Sequence, residues 1–464
     1  MHETVDPKRD AVLAANDPRQ VAAALDAWFM RAGRAERVLS LVIERIFYLP
    51  GVDFSAAYRV VLGRGDEREE AILFGSLRYE DDAAELLAKA DRKAAKGKFL
   101  VPRLGAPAYH LPELDLVLWT FPNDPKLKLL RAALDPAAVR ATLLGLEGPN
   151  GNGGGWQLGA IEQTLVRYIP RKRCVFRCAV EWKQERAADG SPRAEPTTML
   201  QHVYAKVYDD AVAGEEAHAV LRAMGQASHT DARWLRIPAA LHYDADLQTV
   251  WQAAVPGHHL AASAEAVTPA LAAQVGRGLA LLQQARLPVR PRLALEDELD
   301  KMQQQARLMV RVHPEFAPAL QGLESKLAAA LPRLPRLPLV PSHGTFKLNH
   351  LLFDGRQMSL VDFDSMVLAD PLYDVANFIA DLHYLEAQGG LPSGRALPLG
   401  RAFYDGWTAM VPWGKRDAVL NWYVASLLVR KQAMKCVKHL HANARAKMDA
   451  VLREAAIRLE KRGV

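Results

Sequence analysis

The sequence predicts an α+β protein of more than one domain. Three observations carry that expectation. Short runs of alternating apolar and polar residues fill the first 260 positions, helix-period patterns dominate from Leu271 onward, and a glycine-rich segment, Gly148-Pro149-Asn150-Gly151-Asn152-Gly153-Gly154-Gly155, separates two groups of strands. At 464 residues the chain is also too long for one ordinary hydrophobic core.

Residues 1–145 read as an N-terminal α+β domain. A helix is expected over Val21 to Phe47, then strands over Ala56 to Leu62 and Ala71 to Leu77 joined by a charged, glycine-bearing turn. Glu80 to Lys98 has the pattern of a polar-faced helix. Leu114 to Phe121 reads as a further strand, stopped by Pro122-Asn123-Asp124-Pro125 before a helix at Lys126 to Leu134. Residues 146–156 form an expected linker: they lack the Gly-Lys-Ser/Thr ending of a phosphate-binding loop, and no strand leads into them.

Beyond the linker, Ile161 to Tyr168 and Cys174 to Trp182 read as a hairpin with Ile169-Pro170-Arg171-Lys172-Arg173 at its tip. Gln201 to Tyr208 is a third strand, followed by a helix containing Glu215 and Glu216. Thr249 to Ala254 is extended and ends in Pro256-Gly257. The order of these elements resembles a kinase small lobe ending at a hinge, which implies a small lobe over 157–255 and a mostly helical large lobe over 256–464. No internal repeat is apparent.

Composition narrows the classes. Half of the residues are hydrophobic and 24% are charged, which is ordinary for a globular chain. No apolar run reaches the roughly 18 residues that span a bilayer, and the first residues lack a secretion signal, so no membrane insertion is expected. Three cysteines (Cys174, Cys178, Cys436) make neither a disulfide framework nor a Cys-x-x-Cys site. A reduced, cytoplasmic setting follows. The net charge of +6 is spread along the chain, densest at Arg167 to Arg177 and Lys431 to Lys447. It fits an anionic cosubstrate as well as a nucleic acid, and no nucleic-acid partner is expected. The second group is read as solvated surface.

The most informative stretch is Pro341-Ser342-His343-Gly344-Thr345-Phe346-Lys347-Leu348-Asn349-His350, followed by Val361-Asp362-Phe363-Asp364. Between them Leu351-Leu352-Phe353, Asp354-Gly355 and Met358-Ser359-Leu360 read as a β-hairpin with a favoured turn pair. Ala369-Asp370-Pro371-Leu372-Tyr373-Asp374 comes next. This series resembles the His-Gly-Asp-x-x-x-x-Asn loop, the metal-binding aspartate and the Gly-Asp-Pro-x-x-Asp segment of the aminoglycoside phosphotransferase and choline kinase family. An N-terminal domain ahead of the two lobes is also similar to the plan of maltokinase-like proteins.

The resemblance implies a bilobal protein-kinase-like fold with an additional N-terminal α+β domain, ATP as donor, and Mg²⁺ (or Mn²⁺) as metal. It gives Asp362 the metal between the β- and γ-phosphates, and Lys206 the α- and β-phosphates with Glu216 or Glu215 as its ion-pair partner. It places Arg171, Lys172 and Arg173 where the glycine-rich loop cradles phosphates; the alternative for these three is an exposed basic turn. The backbone near Gln252 and Ala254 falls at the adenine edge. Asp370 and Asp374 are expected to be structural.

Two departures stand out. Thr345 replaces the catalytic aspartate, and His350 replaces the metal-binding asparagine, with Asn349 one residue early. Threonine is no base near neutral pH, although phosphoryl transfer depends mainly on positioning and charge stabilisation. Lys347 keeps the spacing of a catalytic-loop lysine, and His343 is expected to pack as the motif's structural histidine while remaining a candidate base. Three functions follow. One is a divergent ATP-dependent phosphotransferase acting on a hydroxyl of a small molecule, a sugar or amino alcohol. Another is a pseudokinase that binds nucleotide or a protein partner. The third is a different transfer on the same fold, such as nucleotidyl transfer, which nothing in the sequence specifically supports.

Overall fold

The chain turns from helix to strand at a glycine. In the computed structural model, which describes residues 6–77, 83–146, 156–186, 192–228 and 235–460, α1 (Arg9–Ala15) and α2 (Pro18–Arg31) lead to β1 (Arg37–Leu49). Asp17 caps α2 by accepting from the Arg19 N–H, and Pro18 takes the first helical position. Gly33 then adopts φ 64°, the left-handed conformation that ends a helix. The single helix expected over Val21 to Phe47 is thus corrected in its second half. Val38, Val42, Ile43 and Ile46 make that stretch β-branched, and its residues pair along β2 (Asp53–Arg64).

β3 (Glu67–Leu77), α3 (Ala83–Ala95), β4 (Ala108–Leu111) and β5 (Leu116–Thr120) complete a five-stranded antiparallel sheet, in the order β1-β2-β3-β5-β4. The helix expected at Lys126 to Leu134 shrinks to α4 (Leu130–Ala133), because Asp124 Oδ1 draws the N–H groups of Lys126 and Leu127 into a turn. α5 (Pro136–Gly145) follows, capped by Asp135. The glycine-rich segment lies outside the described residues.

β6 (Trp156–Ile169), β7 (Arg173–Arg186), β8 (Pro192–Tyr208), α6 (Ala211–Ser228), β9 (Ala240–Asp244) and β10 (Thr249–Ala253) build a second antiparallel sheet in the order β6-β7-β8-β10-β9. The strand order of the first sheet is repeated, including the helix after the third strand. The repeat is one of topology and leaves no trace visible in the residues.

Val5–Glu215 with Ala240–Ala254 form one compact unit. Within it both sheets share a core: Phe74 and Trp119 stack at 5.2 Å, and the same buried cluster runs through Leu130 and Val139 to Phe176, Cys178 and Trp251. Polar ties reinforce it. Tyr168 Oη donates to Asp124 Oδ2 at 2.6 Å, Arg171 pairs with Asp53 at 2.9 Å, and Arg140 donates to the carbonyls of Leu158 and Gly159.

Glu216–Ala239 with Val255–Val464 form the other unit. Its order is β11 (His258–His259), α7 (Pro269–Gln284), β12 (Arg292–Leu293), α8 (Leu295–Val312), α9 (Ala317–Ala330), β13 (Val340–Ser342), β14 (Leu351–Phe353), β15 (Met358–Leu360) and β16 (Val367–Ala369). There follow α10 (Leu372–Ala387), α11 (Ala396–Thr408), α12 (Asp417–Leu427), a π-helical turn (Leu428–Ala433), α13 (Met434–Lys438) and α14 (Ala444–Glu460). Two small sheets, β11-β14-β15 and β12-β16-β13, carry the motif residues among these helices. The α+β expectation, with an N-terminal sheet before a kinase-like series, is met. No described helix is long and apolar enough to cross a membrane.

Candidate active site

β13 delivers the chain into the motif loop, and one buried carboxylate fixes the loop's shape. Asp374, in the first turn of α10, accepts from the His343 N–H at 2.5 Å and from the Gly344 N–H at 3.0 Å. Burial raises its pKa, and the donated hydrogen bonds act the other way. Gly344 sits at φ 79°, and a Cβ there would stand 2.0 Å from the Ser365 carbonyl oxygen. Only glycine fits. Asp370 accepts from the Leu372 N–H at 2.9 Å at the start of α10, and burial pushes its carboxyl up to about 6.

His343 is fully buried against Phe346 and Phe363. Its Nε2 lies 3.1 Å from the Val361 carbonyl, which can only accept, so Nε2 carries the proton and Nδ1 a lone pair. Thr345 Oγ1 lies 3.4 Å from that Nδ1 and donates toward it. Burial pulls the imidazole down to about 4, leaving it neutral at physiological pH.

The hairpin brings the metal-side groups together. Asp354 Oδ1 accepts from the N–H groups of Arg356 and Gln357 and closes the β14–β15 turn, while the Val361 N–H donates to the His350 carbonyl at 3.0 Å. His350 Nε2 consequently stands 3.4 Å from Asp362 Oδ2. Asp362 adopts φ 73°, a left-handed conformation costing a non-glycine residue about 1 kcal/mol. Such strain is kept where a side chain must be aimed. Asn349 is exposed, and its carbonyl accepts from His259 Nδ1 at 2.9 Å.

Thr345 and Lys347 open onto a cavity of about 340 Å³ whose far wall is formed by Asn377, Asp381, Lys431 and Lys435. Lys431 Nζ donates to the Gly344 carbonyl at 2.8 Å and to Asn377 Oδ1 at 2.6 Å, and lies 5.0 Å from the Tyr373 ring. The solvated-surface reading of Lys431 to Lys447 does not hold for Lys431 and Lys435, which turn inward. With Lys438 they line the same cavity. A larger cavity, of about 920 Å³, lies within the first unit beside α3 and α5. No motif residue lines it, so chemistry is assigned to the smaller one.

The remaining candidates lie on or near the second sheet. Lys206 is half-buried on β8, in register with Val175 and Val250. Glu216 pairs with Arg290 at 3.6 Å. Arg171 has its guanidinium on Asp53 and its N–H on Asp124; Lys172 is exposed, and Arg173 opens β7 opposite Tyr208. Gln252 pairs with Tyr204 and Ala240, and the Ala254 N–H is committed to the His202 carbonyl at 3.1 Å. His343, Thr345, Lys347, His350 and Asp362 therefore gather in one unit, while Lys206, Arg171, Lys172, Arg173, Gln252 and Ala254 belong to the other.

Among the described residues no three His, Cys, Asp or Glu side chains converge to hold a metal. A single carboxylate with an imidazole beside it suits an ion that arrives on nucleotide phosphates and keeps most of its ligands there.

Residues 196–412, just under half the chain, match the model of the phosphotransferase enzyme family. The matched segment holds every motif residue described above. Solved structures similar to the chain include a choline/ethanolamine kinase family protein from Mesorhizobium loti (17% identity, TM-score 0.41, covering 72% of this chain and 94% of that one). Another is an aminoglycoside phosphotransferase from Streptomyces rimosus (17%, 0.35, 63% and 97%). A third is an amicoumacin kinase in complex with AMP-PNP and Ca²⁺ (12%, 0.42, 72% and 96%). Likenesses this distant say nothing of substrate. No curated protein matches the chain.

Proposed function

We propose that this protein transfers the γ-phosphoryl group of ATP to a hydroxyl of a small molecule, a sugar or amino alcohol, in the cytoplasm. The observation that carries the reading is the preserved loop–hairpin geometry, with Asp362 held at a strained φ beside a loop that opens onto a cavity. The acceptor oxygen forms the new bond to the γ-phosphorus as the bond to the β,γ-bridging oxygen breaks and ADP leaves. A divalent ion, bound through Asp362, would neutralise charge on the β- and γ-phosphates. Lys347 stabilises the transferring group, and Lys206 contacts the α- and β-phosphates. Thr345 accepts the acceptor's hydrogen bond while donating its own to His343. With His343 pulled down to about 4, this pair positions the hydroxyl and takes up no proton, which leaves to water. His343 itself is a positioning residue.

A second reading, a nucleotide-binding or partner-binding pseudokinase, is favoured by the His350 imidazole standing against Asp362. Calorimetric titration of ATP with Mg²⁺ or Mn²⁺ into wild type and Asp362→Ala tests the site. Metal-dependent binding lost in the variant, followed by ADP release with a hydroxylated acceptor, supports transfer. Binding without turnover on any acceptor supports the pseudokinase.

A further inference from the structure

The cavity beside Thr345 and Lys347 has a charge and polarity that select among hydroxylated acceptors. Its lining carries cations from four elements: Lys301 on α8, Lys347 on the motif loop, Lys431 on the π-turn, and Lys435 and Lys438 on α13. Against them the lining holds a single carboxylate, Asp381, already 3.2 Å from Lys435 Nζ. The π-helical turn contributes to this concentration. An extra residue per turn brings Arg430, Lys431 and Gln432 consecutively to one cavity, and such insertions cluster at functional sites. Arg430 is paired with Glu298, at 2.7 Å.

Two amides supply the second half of the argument. Gln305 and Gln432 line the cavity, Gln432 only 3% exposed, and the Oε1 of each is buried without a hydrogen-bond partner. A buried, unpaired acceptor is costly, and a ligand hydroxyl would satisfy it. Were either amide turned over, its orphan would be a donor and would suit an anionic group. The volume lies at the small end of ligand cavities, which run from about 300 Å³ upward.

We infer that the acceptor is a small polyhydroxylated anion, a sugar acid or sugar phosphate, whose charge is held by Lys301, Lys435 and Lys438 while its hydroxyls reach Gln305, Gln432 and Thr345. The inference rests on the phosphotransferase reading and narrows it. One acceptor hydroxyl oxygen bonds to the γ-phosphorus of ATP, ADP departs, and the hydroxyl proton passes to water. Amino sugars and amino alcohols are disfavoured, because a further cation would enter a site already short of negative charge.

The test titrates gluconate, glucose 6-phosphate, sorbitol and glucosamine into full-length protein saturated with AMP-PNP and Mg²⁺. It is repeated with Lys301→Glu and Lys438→Glu, exposed or half-buried positions where charge reversal leaves the core intact. Saturable binding of gluconate or glucose 6-phosphate, weakened tenfold or more by either reversal with AMP-PNP affinity unchanged, supports the inference; the stronger ligand identifies carboxylate or phosphate as the anion. AMP-PNP binding accompanied by a preference for sorbitol or glucosamine, by no ligand binding, or by anion binding indifferent to both reversals overturns this inference alone. Failure of AMP-PNP to bind overturns the phosphotransferase reading and this inference with it.

Discussion

Thr345 Oγ1 lies 3.4 Å from Nδ1 of His343, and the other nitrogen of that ring is committed to the Val361 carbonyl. The hydroxyl is thus oriented by a neutral imidazole that leaves its lone pairs toward the cavity. Thr345→Val, which keeps the shape and removes the hydroxyl, is expected to slow transfer about 10–100-fold with nucleotide affinity unchanged. Thr345→Ser restores the rate. Thr345→Asp adds a base at the same place and raises it further. Single-turnover assays with γ-labelled ATP decide; a full rate in Thr345→Val removes the positioning role.

Asp362 trades backbone comfort for a carboxylate. At φ 73° its replacement by glycine relieves strain, so Asp362→Gly is expected to gain about 1 kcal/mol of stability while losing metal-dependent nucleotide binding. Denaturant unfolding and calorimetry on the same variant read the two effects. A variant that is less stable than wild type contradicts the strain assignment.

Gly344 and Gly389 share nearly the same φ, 79° and 77°, but not the same surroundings. A Cβ at Gly389 meets nothing within 4 Å, so Gly389→Ala pays only for the conformation, about 1–2 kcal/mol. Gly344→Ala also drives a methyl into the Ser365 carbonyl and is expected to cost about 4 kcal/mol or more. Equal melting temperatures for the two variants would mean that the loop relaxes away from Ser365.

Two buried groups act on stability in the same pH window with opposite signs. Asp370 ionises near 6 in the folded chain against an ordinary 3.8, so the folded state holds its proton more tightly. Its stabilising contribution is present below pH 3.8 and is lost as pH rises through 6. His343 is displaced downward from 6.5 to about 4, so its contribution is present above pH 6.5 and lost as pH falls through 4. Each is worth about 3 kcal/mol. Urea midpoints between pH 4 and 6.5 should fall more steeply on acidification in Asp370→Asn than in wild type, and less steeply in His343→Gln. Parallel curves would mean that burial is not the cause.

The motif hairpin was legible in the sequence because its signals are local: Asp354-Gly355 sets the turn and the short apolar runs on either side pair across it. The inward turn of Lys431 was not. Its partners, the Gly344 carbonyl and Asn377, are distant in sequence, and the π-turn that redirects it has no residue signature. Arg171 shows the same limit. A basic hairpin tip suggests a phosphate, whereas the structure supplies Asp53 from the other end of the unit. The helix expected through Phe47 failed for another reason: a window spanning Gly33 averages a true helix with a β-branched strand and hides the boundary.

The repeated strand order bears on how the chain assembles. Each sheet is contiguous in sequence, so the first can close while the second is still being synthesised, and its half of the shared core then waits uncovered. A truncated chain starting at the second sheet would present Phe176, Cys178 and Val180 to water with no partner layer, and two truncated copies would gain by covering one another. The first sheet therefore covers the apolar face of the second, and removing it would expose that face before it tested any function.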